Sequence, residues 1–314
     1  MKGKVLILTM LGLSIAPAGA RTWNVPSEAP TIQAGVDSAA AGDTVLLAPG
    51  TYAGPGNRDI DFGGVDLVLL SKDGPEATII DCEEAGRGLH FHNDEGPQAM
   101  VAGFTIRRGS ADFGGAIYAR AASPTIQDCI LTENSATELG GGWASVLGSQ
   151  AALRGCRIEE NSCQGPGAGI ACYNSYLTIE DCTVRANTAG GDGGGILCVA
   201  SSDPIIRDCD IEENSADRGG GIACDAASGA IENCRLRFND AGSGGGLECL
   251  NGADPVLTEC DLSANTAGGG GGVGCLYGGA PSFIACRLSG NEAGSGAGIN
   301  CLSESVVHFD HCTL

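Results

Sequence analysis

Short apolar alternations, three to five residues long and separated by glycine or Asx residues, recur along most of the chain. In the phrase Cys182-Thr-Val-Arg-Ala-Asn187, Cys182 and Val184 fall on one side and Thr183 and Arg185 on the other. Ile196 and Cys198 repeat the alternation after a glycine turn, and Ile206 follows after a bend. A period of two over so few residues predicts half-buried strands, with Gly and Asx residues forming the turns. The first cysteine of the phrase returns at Cys129, Cys156, Cys182, Cys209, Cys234, Cys260, Cys286 and Cys312, in steps of 25 to 27 residues. An asparagine follows five positions later in seven of these copies: Asn134, Asn161, Asn187, Asn214, Asn239, Asn265 and Asn291. A fixed period in this range is that of a solenoid.

Three short strands around a narrow apolar core in each ~26-residue period predict an all-β fold, a right-handed parallel β-helix rising one strand spacing per coil. A leucine-rich solenoid needs leucines at set intervals, which are absent, and 52 glycines do not suit stacked helices. Charge supplies a check on register. The position after the cysteine reads Asp210, Arg235, Asp261, Arg287; two further on it reads Glu159, Arg185, Glu212, Arg237; two before it reads Arg154, Glu180, Arg207, Glu232. The sign alternates in all three columns, as in-register parallel stacking requires when like charges face each other unfavourably.

The pattern divides the chain into four parts. Residues 1–20 read as a signal peptide: Lys2 and Lys4, an apolar run Val5 to Ala16, then the small residues Ala18-Gly19-Ala20. The run is too short for a transmembrane span, so the mature chain is expected to start at Arg21, exported and without a membrane segment. Residues 21–57 read as an N-terminal cap: a strand near Trp23, a short helix with Ile32, Val36 and Ala39 on one face, a strand Thr44 to Ala48, and a turn Pro49 to Tyr52. An amphipathic helix over the first coil covers open strand edges and bare core. Residues 58–110 read as less regular coils and 111–314 as regular repeats. The last repeat stops at Leu314 in mid-coil, and on that ground the natural chain is expected to continue.

Composition narrows the chemistry. A net charge of −21 excludes nucleic acid, whose phosphates demand clustered Lys and Arg. Sixteen cysteines in an exported chain suggest disulfides, but eight lie in the first column and six in a second: Cys172, Cys198, Cys224, Cys249, Cys275 and Cys301. Cysteines one coil apart predict buried, stacked thiols acting as small apolar residues. Inter-coil disulfides are the alternative, and Cys-x-x-Cys metal knuckles are absent.

The asparagine column reads as an internal ladder of amides, each bonding its neighbours and the turn backbone. Glycine runs such as Gly190 to Gly195 lack a Walker lysine or Rossmann context and read as tight turns. Asp128, Asp181, Asp208 and Glu259, with Asn233 between, form an acidic column before the cysteine. Carboxylates so placed are candidate calcium ligands, against a reading as turn residues bonding their own backbone. No cofactor other than calcium is suggested. His90 and His92 share one side of a strand with Asp94 close by, a metal-site candidate set against a plain polar edge. His308 and His311 point to nothing specific. Trp143 aligns with Ile117, Ile170, Ile196 and Ile222 and faces the core, whereas Tyr173, Tyr176 and Tyr277 are surface candidates.

With these residues in view, the chain resembles the right-handed β-helix repeat proteins of the pectin-lyase-like superfamily. The stretch Val25 to Tyr52 looks like that superfamily's N-terminal cap. The repeats look most like those of polymorphic outer-membrane proteins: Gly114-Gly-Ala-Ile117 matches their Gly-Gly-Ala-Ile motif, while Leu131-Thr-Glu-Asn134 has an aliphatic where their second motif has Phe. The resemblance implies a secreted or cell-surface protein facing extracellular polysaccharide or a cell-surface protein. Superfamily enzymes cluster Asp residues on one sheet face, often with calcium. Here the outward carboxylates alternate with arginines, and no catalytic residue carries over. The expectation is a non-catalytic surface, adhesin-like or scaffold module. The alternative is a lyase or hydrolase of acidic polysaccharide.

Overall fold

The computed structural model describes residues 19–314. Most of the expected leader lies outside the described residues. From Thr22 onward the chain winds as a parallel β-solenoid of four sheets holding twelve (A), ten (B), ten (C) and eight (D) strands. Twelve strands at ~4.8 Å spacing make a shaft about 53 Å long. One coil shows the order: Thr178–Glu180 in sheet A, Thr183–Arg185 in B, Thr188–Ala189 in D and Ile196–Val199 in C.

Four strands per regular coil is one more than the alternation predicts. After the asparagine corner the chain leaves the core, and its inward positions are small: Ala136, Cys163, Ala189 and Ala216 form a separate minor cluster with Ala168. Alanine and glycine carry little hydrophobic contrast, so this strand left no signal. A second difference concerns Pro49 to Tyr52. Gly50–Ala53 is a strand, not a turn, because Thr78–Asp81 offers it a parallel partner in sheet B. The Tyr52 hydroxyl donates back to the Ala48 carbonyl at 2.8 Å. The coils of 58–110 share sheets A, B and C with the later repeats, and sheet D begins only at Ser110–Phe113.

The cap helix α1 (Ile32–Ser38) starts at Thr31, whose hydroxyl accepts from the Ala34 amide at 3.2 Å. It buries Ile32 and Val36 over the first coil. Gly35 is required for this approach, since a Cβ there would lie 2.8 Å from Val45 Cγ1.

The core is a set of files. Cys172, Cys198, Cys224, Cys249, Cys275 and Cys301 pair in direct register. First-column thiols sit at the corner between sheets A and B and donate to carbonyls, as Cys182 Sγ does to Glu180 O at 3.2 Å. All sixteen cysteines are free thiols. Desolvation pushes that of Cys129 up to about 12.

The seven asparagines stack at the next corner. From Asn134 to Asn265, each Nδ2 donates to the Oδ1 of the following one at 3.0 to 3.1 Å, and Asn291 ends the series. Each also donates to a carbonyl, such as Asn214 to Val184 O at 2.9 Å. The charge columns meet in register: Glu180 lies between Arg154 (3.3 Å) and Arg207 (2.9 Å), and Arg237 reaches Glu212 at 3.3 Å.

Candidate functional site

The alternation that turns Ile196 and Cys198 inward turns Leu197 outward. Register stacks Leu197 into an outward file: Tyr118, Ala144, Ala171, Leu197, Ala223, Glu248 and Gly274. Beside this floor runs a second file, Val146, Tyr173, Val199 and Asp225. Sheet D stands up as a wall on the other side, with Phe113 over Leu139 at one end and Arg218 over Ser243 further along. Gly193 (φ +71) swings the chain from wall to floor, where a Cβ would meet Leu197 Cβ at 2.7 Å.

Wall and floor enclose a groove of about 540 Å³ along the shaft. Its lining is mostly apolar, including Phe113, Leu139, Pro166, Leu197 and Val199, with Tyr173 half exposed on the far bank. The floor beneath is an apolar cluster outside the main core, formed by Leu139, Ala144, Val146, Ala171, Leu197 and Ala223. Three carboxylates edge the groove. Asp192 pairs with Arg218 at 2.9 Å. Asp225 accepts from Asn251 Nδ2 at 2.6 Å, and Glu138 is exposed.

Glu248 breaks the apolar file. Its side chain is 0% exposed; Oε2 accepts from Ser243 Oγ at 2.8 Å, while Oε1 is buried without a partner. Burial pushes its carboxyl up to about 7; the Ser243 hydroxyl and Arg218 oppose the rise, and Asp192 adds to it. The niche depends on glycine, because a Cβ on Gly274 would lie 2.0 Å from Glu248 Oε2.

At the N-terminal end of the same face, His92, His90, Tyr118 and Phe113 form a continuous ring stack, with centroids 4.0, 5.3 and 5.8 Å apart. His92 Nε2 lies 3.0 Å from Asp61 Oδ2, so Asp61 rather than the expected Asp94 is its carboxylate neighbour. Desolvation, Arg87 and His92 hold the His90 imidazole down to about 4.

The sequence-derived candidates lie elsewhere. Asp128, Asp181, Asp208 and Glu259 occupy the corner between sheets A and B, away from the groove. All four, and Asn233, have φ between 50° and 55°, the left-handed conformation of a turn. Asp208 accepts from Asn233 Nδ2 at 2.5 Å, and burial together with the neighbouring Asp208 and Glu180 raises the Asp181 carboxyl. Among the described residues, no group of three or more His, Cys, Asp or Glu is arranged to hold a metal ion. The asparagine file is internal. Trp143 is buried in the core, while Tyr173, Tyr176 and Tyr277 are exposed. His308 and His311 lie exposed in the final coil.

Sequence reading passed over Glu248, although a signal existed. It is the one charged residue in a file otherwise occupied by Ala, Leu and Gly between Ala144 and Gly274, and it stands one position before a second-column cysteine.

A family model described as "Right handed beta helix region" matches residues 68–203 and 194–314. No curated protein sequence matches the chain. Among solved structures, pectate lyase Pel9A superposes with a TM-score of 0.51 at 13% identity, over 92% of this chain and 79% of that one. The Azotobacter vinelandii mannuronan C-5 epimerase AlgE4 A-module gives 0.47 at 13% identity, over 90% of this chain and 91% of that one. An alginate lyase from Paenibacillus sp. str. FPU-7 gives 0.43 at 13% identity, over 94% of this chain and 99% of its own. At such identity the likeness to the first speaks for the fold alone. The two family matches together span residues 68–314, and this chain belongs to the right-handed β-helix family.

Proposed function

We propose that this protein is an exported, non-catalytic β-helix that acts as a surface or scaffold module and holds its partner in the groove outside sheet C. The observation that carries the reading is the groove itself, a partly apolar channel along the shaft edged by Glu138, Asp192 and Asp225. The outward carboxylates of sheets A and B point the same way, since arginines of adjacent coils neutralise many of them. Arg207, for example, holds the Glu180 carboxyl below its ordinary range. The leader-like start and the likeness of the repeats to polymorphic outer-membrane proteins favour the secreted or cell-surface side. Partners on this reading are an extracellular polysaccharide or a cell-surface protein.

The test is retention of purified 21–314 on cell-wall and cell-surface fractions, compared with a groove-blocking Tyr173→Arg variant. Retention lost in the variant supports the reading; equal retention removes it.

A second reading, a lyase or hydrolase of acidic polysaccharide, rests on Glu248. Burial raises its carboxyl to about 7 near the Arg218–Asp192 pair and leaves Oε1 without a partner; being fully buried, it would have to be uncovered to serve as a general acid. A depolymerisation assay on polyuronates, with and without calcium, decides between the two. Turnover that Glu248→Gln abolishes establishes the second reading.

A further inference from the structure

We infer that the groove outside sheet C binds an extended peptide segment of a partner protein, with two cationic side chains about four residues apart and aliphatic residues between them. The inference rests on the groove reading above and names the partner's chemistry.

Three observations carry it. First, the lining is aliphatic over most of its length: Leu139, Pro166, Leu197, Val199 and two alanines, with Phe113 and Tyr173 at the margins. Aliphatic walls suit Val, Leu or Pro side chains. A sugar chain is held chiefly by flat aromatic faces and many hydrogen-bonding groups. The ring stack beside the groove turns its faces on one another, which leaves only the end ring, Phe113, to the channel. Second, the polar groups of the lining are largely carboxylates. Arg218 already pairs with Asp192; Glu138 and Asp225 make no ion pair among the described residues, although Asp225 also feels the charge of Arg218, and Asn251 is a neutral donor to Asp225. Two carboxylates without an ion pair at the rim of a low-dielectric channel favour a cation and repel a polyanion, and the net charge of −21 adds to both effects.

Third, the spacing is set by the coil. Glu138 stands on the wall in the coil of Trp143–Val146, and Asp225 on the opposite bank in the coil of Ile222–Asp225, three steps along sheet C. Three steps at ~4.8 Å put the charges about 14 Å apart along the axis, about four residues of extended chain at ~3.3 Å each, and because side chains alternate sides, carboxylates on opposite banks call for an odd separation, i+3 or i+5. The segment lies along the shaft, across the strands, so its specificity comes from side chains rather than from added strand pairing.

The experiment pans a displayed library of random dodecapeptides against 21–314, with counter-selection on Glu138→Lys/Asp225→Lys. Both positions are solvent-accessible, and circular dichroism confirms that the variant keeps the fold. Enriched peptides are expected to carry Lys or Arg at an odd separation, i and i+5 or i and i+3, around aliphatic residues. The best of them, labelled for fluorescence anisotropy, should bind at least tenfold more weakly to the double variant and several-fold more weakly to Tyr173→Ala. It should also weaken progressively between 50 and 300 mM salt, by roughly the screening expected as the Debye length shortens. Enrichment without basic pairs, or binding unchanged in the double variant, overturns the inference. If Tyr173→Arg abolishes retention on polysaccharide while no groove-dependent peptide emerges, the peptide inference fails and the groove reading stands. If it changes neither, both fail.

Discussion

Replacing Asn214 by Leu tests the internal ladder at its middle, where the side chain is buried. The Asn214 side chain takes part in four hydrogen bonds. Nδ2 donates to Val184 O at 2.9 Å and to Asn239 Oδ1 at 3.0 Å, and Oδ1 accepts from the Asn187 amide and from Asn187 Nδ2, both at 3.0 Å. Leucine is close in volume, so the variant leaves no large cavity. It strands two buried donors on Asn187 and removes one partner each from Val184 O and Asn239 Oδ1. A stranded buried donor costs ~1–3 kcal/mol, so the two together predict a loss of about 2–6 kcal/mol. That is a large fraction of the ~5–15 kcal/mol that holds an ordinary domain together.

Asn291→Leu is the internal control. Asn291 is only partly buried and ends the file, so water can reach the groups it abandons, and under half of the loss is expected. Urea unfolding of 21–314 followed by circular dichroism measures both. Hydrogen exchange at the Asn187 amide localises the effect, as nearest-neighbour coupling in a solenoid requires. Equal losses at 214 and 291, or a loss below about 1 kcal/mol at 214, would refute the ladder argument.

Other consequences follow from single contacts. Gly274→Ala drives a Cβ into Glu248 Oε2 and should cost about 1–3 kcal/mol, with Glu248→Ala in the same chain restoring much of it in a double-mutant unfolding cycle. Glu248 has a folded-state carboxyl near 7, raised above its unfolded value, so its contribution is complete below about 4.5 and is lost as pH rises through 7. The urea midpoint of the wild type should therefore fall relative to Glu248→Gln between pH 5 and 8, and parallel curves would count against a buried acid. Arg235→Ala breaks an exposed pair with Asp210 and should change stability by less than about 1 kcal/mol in the same assay. Native 21–314 should react quickly with a thiol reagent at two positions, Cys301 and Cys312, and at all sixteen only in denaturant. Fewer than sixteen in denaturant would reveal disulfides.

Local chemistry repeated at a constant step was enough to read the shaft from sequence. A cysteine and an asparagine five residues apart, recurring every 25 to 27 residues, admit one stacking once the charge columns alternate. The asparagine file, the inward Trp143 and the cap helix were visible for the same reason: each follows from period, side-chain direction and burial within one coil. Residues whose role depends on neighbours from a different part of the coil were not legible. Gly50–Ala53 read as a turn until Thr78–Asp81 lay beside it, and sheet D was hidden because its inward positions are small, alanines and one cysteine. Glu248 looked like one acidic residue among many. Only the return of the wall over the floor of sheet C put it out of water beneath Arg218 and Ser243, and the same return made a groove of side chains that in sequence lie up to 113 residues apart, from Phe113 to Ala226. Periodicity determines what stacks on what along the axis, whereas the depth and charge of a groove depend on how far each coil folds back across itself, a distance set by packing that no single repeat encodes.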